Sequence, residues 1–294
     1  MPSVKHALFA LAASAALSAP ASAEPFSKLV AFSGALSDTG NMASVTGDLP
    51  APFHANRNAD GPVAVEVLAA RLGGLEAAPS MHLKAGAGGT NFAVSDALAG
   101  GDGPHDLAAQ VDAYLDRAGG EADPDALYFV FIGGNDVIAA AQAEDHTAIG
   151  PILGKAVGGI ERAIHRLVAA GAKTLFVPDF LDLSVSPAVQ GMGAAGPASQ
   201  LSAAYNEMFY AMLDRLDLPE GVEIIRWSFG DFVDDVIAHY RELGFTDRNT
   251  PCVAVMEAGA CDPERFVFLT PGYPTAKVHE LVGTAMALAV VQRD

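Results

Sequence analysis

Basic residues, cysteines and aromatic residues are all scarce in this sequence of 294 residues. Lysine and arginine number 17 against 35 aspartates and glutamates, which gives a formal net charge of −18 at pH 7. Nucleic acids and anionic membrane surfaces are bound through basic patches, so this deficit argues against both partners. Strongly apolar runs of about 18 residues are also absent, so we expect no transmembrane anchor.

The first 23 residues have the features of a secretory signal peptide. Lys5 supplies a positive charge, residues 7–17 are apolar, and the Ala-Ser-Ala at residues 21–23 fits a cleavage site. Their removal leaves one domain, residues 24–294, with a net charge of −19, because Lys5 is the only charged residue removed. We therefore expect an exported protein, periplasmic or extracellular; the alternative interpretation is a buried N-terminal helix.

The two cysteines fit an oxidising compartment. Cys252 and Cys261 lie nine positions apart in a stretch with loop-forming prolines. This spacing favours a local disulfide over free thiols. A zinc site would need more ligands, and no histidine lies close in sequence.

Short apolar runs alternate with longer segments of helical periodicity, which predicts an α/β protein. Strands are predicted at residues 28–32, 90–94, 127–132, 174–177 and 222–227, and helices at 63–72, 107–117, 153–170, 198–216, 231–243 and 275–291. Continuous apolar strands are typical of a parallel sheet covered on both faces. We therefore predict a three-layer α/β/α architecture with a mainly parallel five-stranded sheet. Its ligands should bind beyond the carboxyl ends of the strands.

The segment after the first predicted strand carries a recognisable motif. Residues 32–41 read Phe-Ser-Gly-Ala-Leu-Ser-Asp-Thr-Gly-Asn, which resembles the first block of the SGNH or GDSL lipase/esterase family, F-G-D-S-L-S-D-T-G-N. Residues 60–66, 89–94 and 131–136 are similar to further family segments, and Pro274-Thr275 with His279 is similar to the end of the last block. The resemblance covers nearly all of residues 24–294. It implies an SGNH-hydrolase (flavodoxin-like) fold and an ancestry among ester hydrolases.

The sequence departs from the family at the catalytic positions. The nucleophilic serine of the family corresponds to Ala35, and its Asp and His correspond to Thr270 and Tyr273. A methyl group cannot attack an ester, and a phenol with an ordinary pKa near 10 is a poor base at neutral pH. The resemblance therefore implies a chain without the serine mechanism.

The oxyanion hole is also altered. Its second-block glycine corresponds to Asp96, whereas its third-block asparagine remains as Asn135, next to Gly134. A carboxylate at position 96 would oppose the charge of a developing oxyanion. The Asp96 amide could still donate, provided that an L-residue adopts the backbone conformation of the glycine.

Oxygen-bearing side chains are expected to converge at the carboxyl edge of the sheet. Such ligands suit Ca²⁺ or Mg²⁺. However, aspartates near helix N-termini commonly cap the helix, and two of these residues, Asp38 and Asp136, belong to the ordinary family pattern. We therefore predict no metal and no cofactor. The set comprises Asp38, Asn41, Asn91, Asp96, Asn135 and Asp136.

Three functional hypotheses follow. The first is a pseudo-hydrolase that keeps a cleft for an acylated lipid or glycan but no catalytic triad. The second is an active carboxylic-ester hydrolase that uses relocated residues; Ser33 and Ser37 flank Ala35, but both are expected to point away from the nucleophile's direction. No histidine falls at the base position, and we interpret His279 as a packing residue. The third is a structural or partner-binding module.

Overall fold

The computed structural model describes residues 26–84, 86 and 88–293. The predicted signal peptide lies outside these residues. Within them, no helix combines the length and the apolar character that crossing a bilayer requires.

Four parallel strands form the sheet of the described chain, in the order β1-β2-β3-β4. Every residue of β1 and β2 is buried, so both faces of the sheet are covered, as the continuous apolar runs predict. Because all four strands are parallel, the residues that follow them share one edge. The strands are β1 Leu29–Ser33, β2 Leu127–Phe131, β3 Thr174–Pro178 and β4 Glu223–Trp227.

Nine α-helices occur in the described residues, and they flank the sheet. Helix α9 packs against α2, while α5 packs against α3, α4 and α7. The predicted helix at 107–117 is confirmed with the same bounds. The helices are α1 Ala43–Thr46, α2 Ala64–Arg71, α3 Leu107–Arg117, α4 Gly134–Ala141, α5 Ile149–Ala169, α6 Pro187–Gly191, α7 Ala195–Arg215, α8 Phe229–Ala238 and α9 Ala276–Val291.

The prediction of a fifth strand at residues 90–94 is wrong. This segment runs alongside β1, and the Phe92 N–H donates to the Ala31 carbonyl over 2.7 Å, but only Asn91 pairs with β1 as an isolated bridge. A regular ladder stops at Ser33, because its N–H donates to Gln110 Oε1 over 3.0 Å and not to the 90–94 segment. An extended edge segment therefore takes the place of a strand.

The predicted disulfide between Cys252 and Cys261 is confirmed, with a Cα–Cα distance of 4.9 Å. Backbone hydrogen bonds join this loop to the segment before Thr270: the Cys252 N–H donates to Phe268 over 2.9 Å and the Val253 N–H to Leu269 over 3.0 Å. The disulfide loop thus supports the chain just before the last family-like block.

Candidate functional site

Ala35 lies in a tight turn directly after β1. The Ser37 N–H donates to the Gly34 carbonyl over 3.1 Å, which closes the turn. The Ala35 carbonyl accepts a hydrogen bond from Asn58 Nδ2 at 3.2 Å, and Ala35 lines a large cavity. The turn therefore places a residue without a reactive side chain where the resemblance puts a nucleophile.

The two serines that flank Ala35 are buried and engaged with each other. Ser33 Oγ hydrogen-bonds the Phe131 carbonyl, and the hydroxyl oxygens of Ser33 and Ser37 lie 3.1 Å apart. Among the described residues, no histidine hydrogen-bonds either hydroxyl. Neither serine is therefore arranged as an activated nucleophile.

A serine–histidine contact that the sequence analysis missed occurs elsewhere. Ser80 Oγ lies 2.6 Å from His82 Nδ1, and burial followed by the charge of Arg117 lowers the pKa of His82. Ser80 is 0% exposed, so a substrate cannot reach its hydroxyl. Its Oγ also donates to Asn41 Oδ1 over 3.3 Å. The Ser80–His82 contact is therefore part of the buried packing next to residues 90–94.

Asp96 adopts the left-handed backbone conformation, with φ of 66°. An L-residue therefore does take the conformation that glycine adopts easily. The neighbouring Ala97 carbonyl accepts a hydrogen bond from Asn135 Nδ2 at 2.9 Å. Ala97, Asn135 and Gly134 all line the cavity, so the second and third family-like blocks meet at its wall.

Thr270 and Tyr273 belong to a narrow turn. The Tyr273 carbonyl accepts the N–H groups of Leu269 at 2.9 Å and of Thr270 at 3.2 Å. The Tyr273 ring lines the cavity and packs edge-to-face on Phe53, with 6.4 Å between ring centroids. Burial, and then the charges of Asp96 and Asp38, raise the pKa of Tyr273. The phenol therefore stays protonated at neutral pH and is not a base.

Asp38 joins the first block to the second. Its Oδ1 accepts the N–H groups of Gly40 and Asn41, each at 2.8 Å, and its Oδ2 accepts that of Ser95 at 2.8 Å. A carboxylate used in this way caps the local turn.

Two asparagines reinforce the same junction. Asn41 Nδ2 donates to the carbonyls of Asn91 and Ala93, each over 2.8 Å. Asn91 Nδ2 in turn donates to the Ser37 carbonyl over 2.7 Å. The amide side chains are therefore occupied in fixing the wall of the site.

Asp136, in the first turn of α4, is buried and faces backbone donors. Its two oxygens accept the N–H groups of Ala99 at 2.8 Å and Gly100 at 3.0 Å. Burial raises the pKa of this carboxyl group. The two hydrogen bonds lower it, but the effect of burial is larger. In the described residues, no group of three or more His, Cys, Asp or Glu side chains is arranged to hold a metal ion.

A cavity of about 420 Å³ lies beyond the carboxyl ends of the strands. No aspartate, glutamate, lysine or arginine lines it among the described residues. Ala35, Asn135 and Tyr273 lie in one part of its wall, and aromatic and aliphatic side chains form most of the rest, including Phe131, Phe180, Phe229, Val233, Val282 and Met286. Such a chamber suits an apolar chain.

His279, on α9, also lines the cavity and is 3% exposed. Its Nδ1 accepts the Ala64 N–H over 3.1 Å, so the proton of the neutral ring resides on Nε2. Burial lowers the pKa of His279 to about 4. The ring is thus neutral at pH 7 and joins α9 to α2.

Comparisons with known proteins agree with this architecture. A family model described as GDSL-like lipase/acylhydrolase matches residues 30–284. The chain is 28% identical over 251 residues to a phosphatidylcholine-sterol acyltransferase of Aeromonas hydrophila, covering 83% of this chain and 70% of the relative. It is 29% identical over 175 residues to lipase 1 of Photorhabdus luminescens, covering 59% of this chain but 25% of that relative's length. The chain therefore belongs to the GDSL-like lipase/acylhydrolase family.

Proposed function

We propose that this protein is an exported family member that has lost the serine mechanism and binds an acylated lipid or glycan in its cavity. The observation that carries the proposal is Ala35, which occupies the turn after β1 and lines the cavity. Ester hydrolysis by the family route begins with attack by a hydroxyl at this position, and a methyl group cannot supply it.

The surrounding groups do not replace the missing triad. Ser33 and Ser37 are buried and hydrogen-bonded. Tyr273 retains its proton, because burial and nearby carboxylates raise the pKa of its hydroxyl, and Thr270 carries no charge to orient a histidine. Loss of an entire triad in a serine protease costs a factor of about 10⁶ in kcat. We therefore expect no measurable turnover.

The cavity supports a binding role. Its wall is largely apolar and its volume is about 420 Å³, which suits the burial of an alkyl chain. The names of two relatives, an acyltransferase and a lipase, point to acyl-lipid ligands. The disulfide between Cys252 and Cys261 supports an extracytoplasmic location. That the exported protein consists of residues 24–294 stays a prediction from the sequence.

Three measurements on the whole protein test the proposal. Incubation with a fluorophosphonate probe should give no covalent label, and p-nitrophenyl butyrate should not be hydrolysed. Titration with dodecyl maltoside below its micelle concentration should show saturable binding. Val233→Trp should abolish that binding by filling the cavity, whereas Val291→Trp, at an exposed position outside the cavity wall, should not. Labelling of the native chain would instead establish an active hydrolase, and absent alkyl binding would favour a partner-binding module.

Restoration of the family residues tests the assignment of positions. The variant Ala35→Ser, Asp96→Gly, Thr270→Asp and Tyr273→His should hydrolyse p-nitrophenyl butyrate at least about 100-fold above background, because it regains nucleophile, base and oxyanion hole. The matched control carries the last three substitutions but keeps Ala35, and it should remain inactive. Equal rates of hydrolysis for both variants would contradict the assignment of residue 35 to the nucleophile position of the family.

A further inference from the structure

An acidic residue, Asp96, adjoins the cavity wall to which Tyr273 also belongs. The lining of the cavity has no charged side chain among the described residues, but Asp96 precedes Ala97, which belongs to the wall. Asp96 is exposed, and its charge, acting together with burial, raises the pKa of Tyr273. A carboxylate thus stands beside the point where the apolar chamber meets solvent.

The backbone on both sides of Asp96 is fixed. The Ser95 N–H donates to Asp38 Oδ2 over 2.8 Å, and the Ala97 carbonyl accepts from Asn135 Nδ2 at 2.9 Å. Asp96 itself has a left-handed φ of 66°. Within the described chain no basic side chain forms an ion pair with it. The Asp96 backbone is therefore held in place, and no ion pair balances the charge of its carboxylate.

Aromatic rings provide a second feature that attracts a cation. Tyr273 lines the cavity and packs edge-to-face on Phe53, and aromatic faces attract ammonium groups. Two basic residues, His54 and Arg57, lie on the segment that follows Phe53, and Arg57 is paired with Glu66 at 2.6 Å. With Arg57 paired, the described segment that follows Phe53 offers no free lysine or arginine to balance a carboxylate ligand.

We propose that the cavity binds a single-chain amphiphile with a cationic head, an amine or a quaternary ammonium. The alkyl chain occupies the apolar chamber, and the head lies between the Asp96 carboxylate and the Tyr273 ring. This inference rests on the proposed binding function and adds the charge of the ligand. The net charge of −18 acts in the same direction, since it concentrates cations near the surface.

Three probes with the same twelve-carbon chain test the inference by calorimetry at low salt. They are dodecyltrimethylammonium, dodecanoate and dodecyl maltoside, each below its micelle concentration. The native protein should bind the ammonium probe about ten-fold more tightly than dodecanoate. Asp96→Asn should reduce this preference at least about three-fold and leave dodecyl maltoside binding unchanged. Asparagine suits this position because it tolerates the left-handed conformation.

A matched control separates a local effect from the overall charge. Asp217→Asn removes one exposed carboxylate between α7 and β4, at the opposite edge of the sheet, and should not alter the preference. Tighter binding of dodecanoate, equal binding of all three probes, or equal effects of both substitutions would overturn the inference while the binding function stands. Failure of every probe to bind would instead reject the cavity as an alkyl site, and with it the proposed function.

Discussion

Single side chains determine what the site can do, because each proton or electron pair in acyl transfer must come from a specific atom. Ala35 provides no nucleophile, and Tyr273 holds its proton. His279 is the histidine in the cavity wall, yet its Nδ1 is occupied by the Ala64 N–H. Among the described residues, no hydroxyl forms a hydrogen bond with this imidazole.

The burial of His279 predicts a loss of stability in mild acid. Its folded pKa of about 4 lies below the ordinary value of 6.5, so the unfolded chain takes up this proton more readily than the folded protein. The contribution of neutral His279 to the free energy of unfolding is complete above about pH 6.5. It is lost as the pH falls towards 4, and the loss reaches up to about 3 kcal/mol. Urea unfolding at pH 7.0, 5.5 and 4.5 measures the free energy of unfolding across this range.

His279→Gln is the matched variant, because glutamine can still accept the Ala64 N–H but does not titrate. We expect its free energy of unfolding to fall less than that of the native protein between pH 7.0 and 4.5. His82, whose pKa is also lowered, titrates in both proteins and cancels in the comparison. Identical pH dependences would show that His279 is not the responsible group.

The identities of the site residues could be predicted from the sequence, whereas their backbone conformations and hydrogen bonds could not. The motif alignment alone supplies Ala35, Thr270 and Tyr273 at the triad positions and Asp96 at the glycine position of the oxyanion hole. The left-handed φ of Asp96 depends on hydrogen bonds to residues 38 and 135, far away in sequence. The motif predicts only that the Asp96 amide needs a glycine-like backbone in order to donate, and the structure shows that Asp96 adopts this backbone conformation.

At the scale of elements, the start of α4 positions the third family-like block. Gly133 precedes this helix with a φ of 128°, and a Cβ there would overlap the hydroxyl of the buried Tyr205. That hydroxyl donates to the Ile132 carbonyl over 2.8 Å. The connection between β2 and Asn135 therefore needs glycine both for its backbone angle and for space.

Gly133→Ala should destabilise the protein by at least about 2 kcal/mol, because it adds backbone strain to a steric clash. Gly150→Ala is the matched control, since Gly150 lies in the first turn of α5 with ordinary φ and open space where a Cβ would lie. That control should be neutral or stabilising by about 0.5 kcal/mol. Thermal and urea unfolding of both variants measure the effect; a neutral Gly133→Ala would contradict this role.

Element positions were predictable where periodicity was strong and less so where side chains interrupt it. The helix at Leu107–Arg117 follows directly from its apolar spacing. The apolar spacing predicts no helix at α4, because the apolar pattern there is short and begins within a pair of glycines, Gly133 and Gly134. The apolar pattern also predicts a strand at residues 90–94, where the bond from the Ser33 N–H to the Gln110 side chain limits pairing with β1 to one bridge. These differences arise from side-chain hydrogen bonds and turns that apolar spacing does not encode.

At the scale of the whole molecule, the parallel sheet brings distant segments to one edge. Residues near positions 35, 135, 180, 230 and 273 all line the same cavity. The rule that ligands bind beyond the carboxyl ends of strands predicts this edge. The shape and the uncharged lining of the cavity depend on how α8, α9 and the segment around α6 pack over it, which no local pattern specifies.

The net charge of −18 predicts that salt stabilises the folded protein. An excess of acidic groups repels itself more strongly in the compact state, and ions screen this repulsion over about 10 Å at 0.1 M. Salt also weakens the surface ion pairs, such as Arg71–Glu280, but exposed pairs contribute little. Raising sodium chloride from 0.01 to 0.3 M at pH 7 should therefore increase Tm by about 2–4 °C. The same addition at pH 4.6, near the isoelectric point, should change Tm little. A fall in Tm at pH 7 would mean that attractive pairs outweigh the net repulsion.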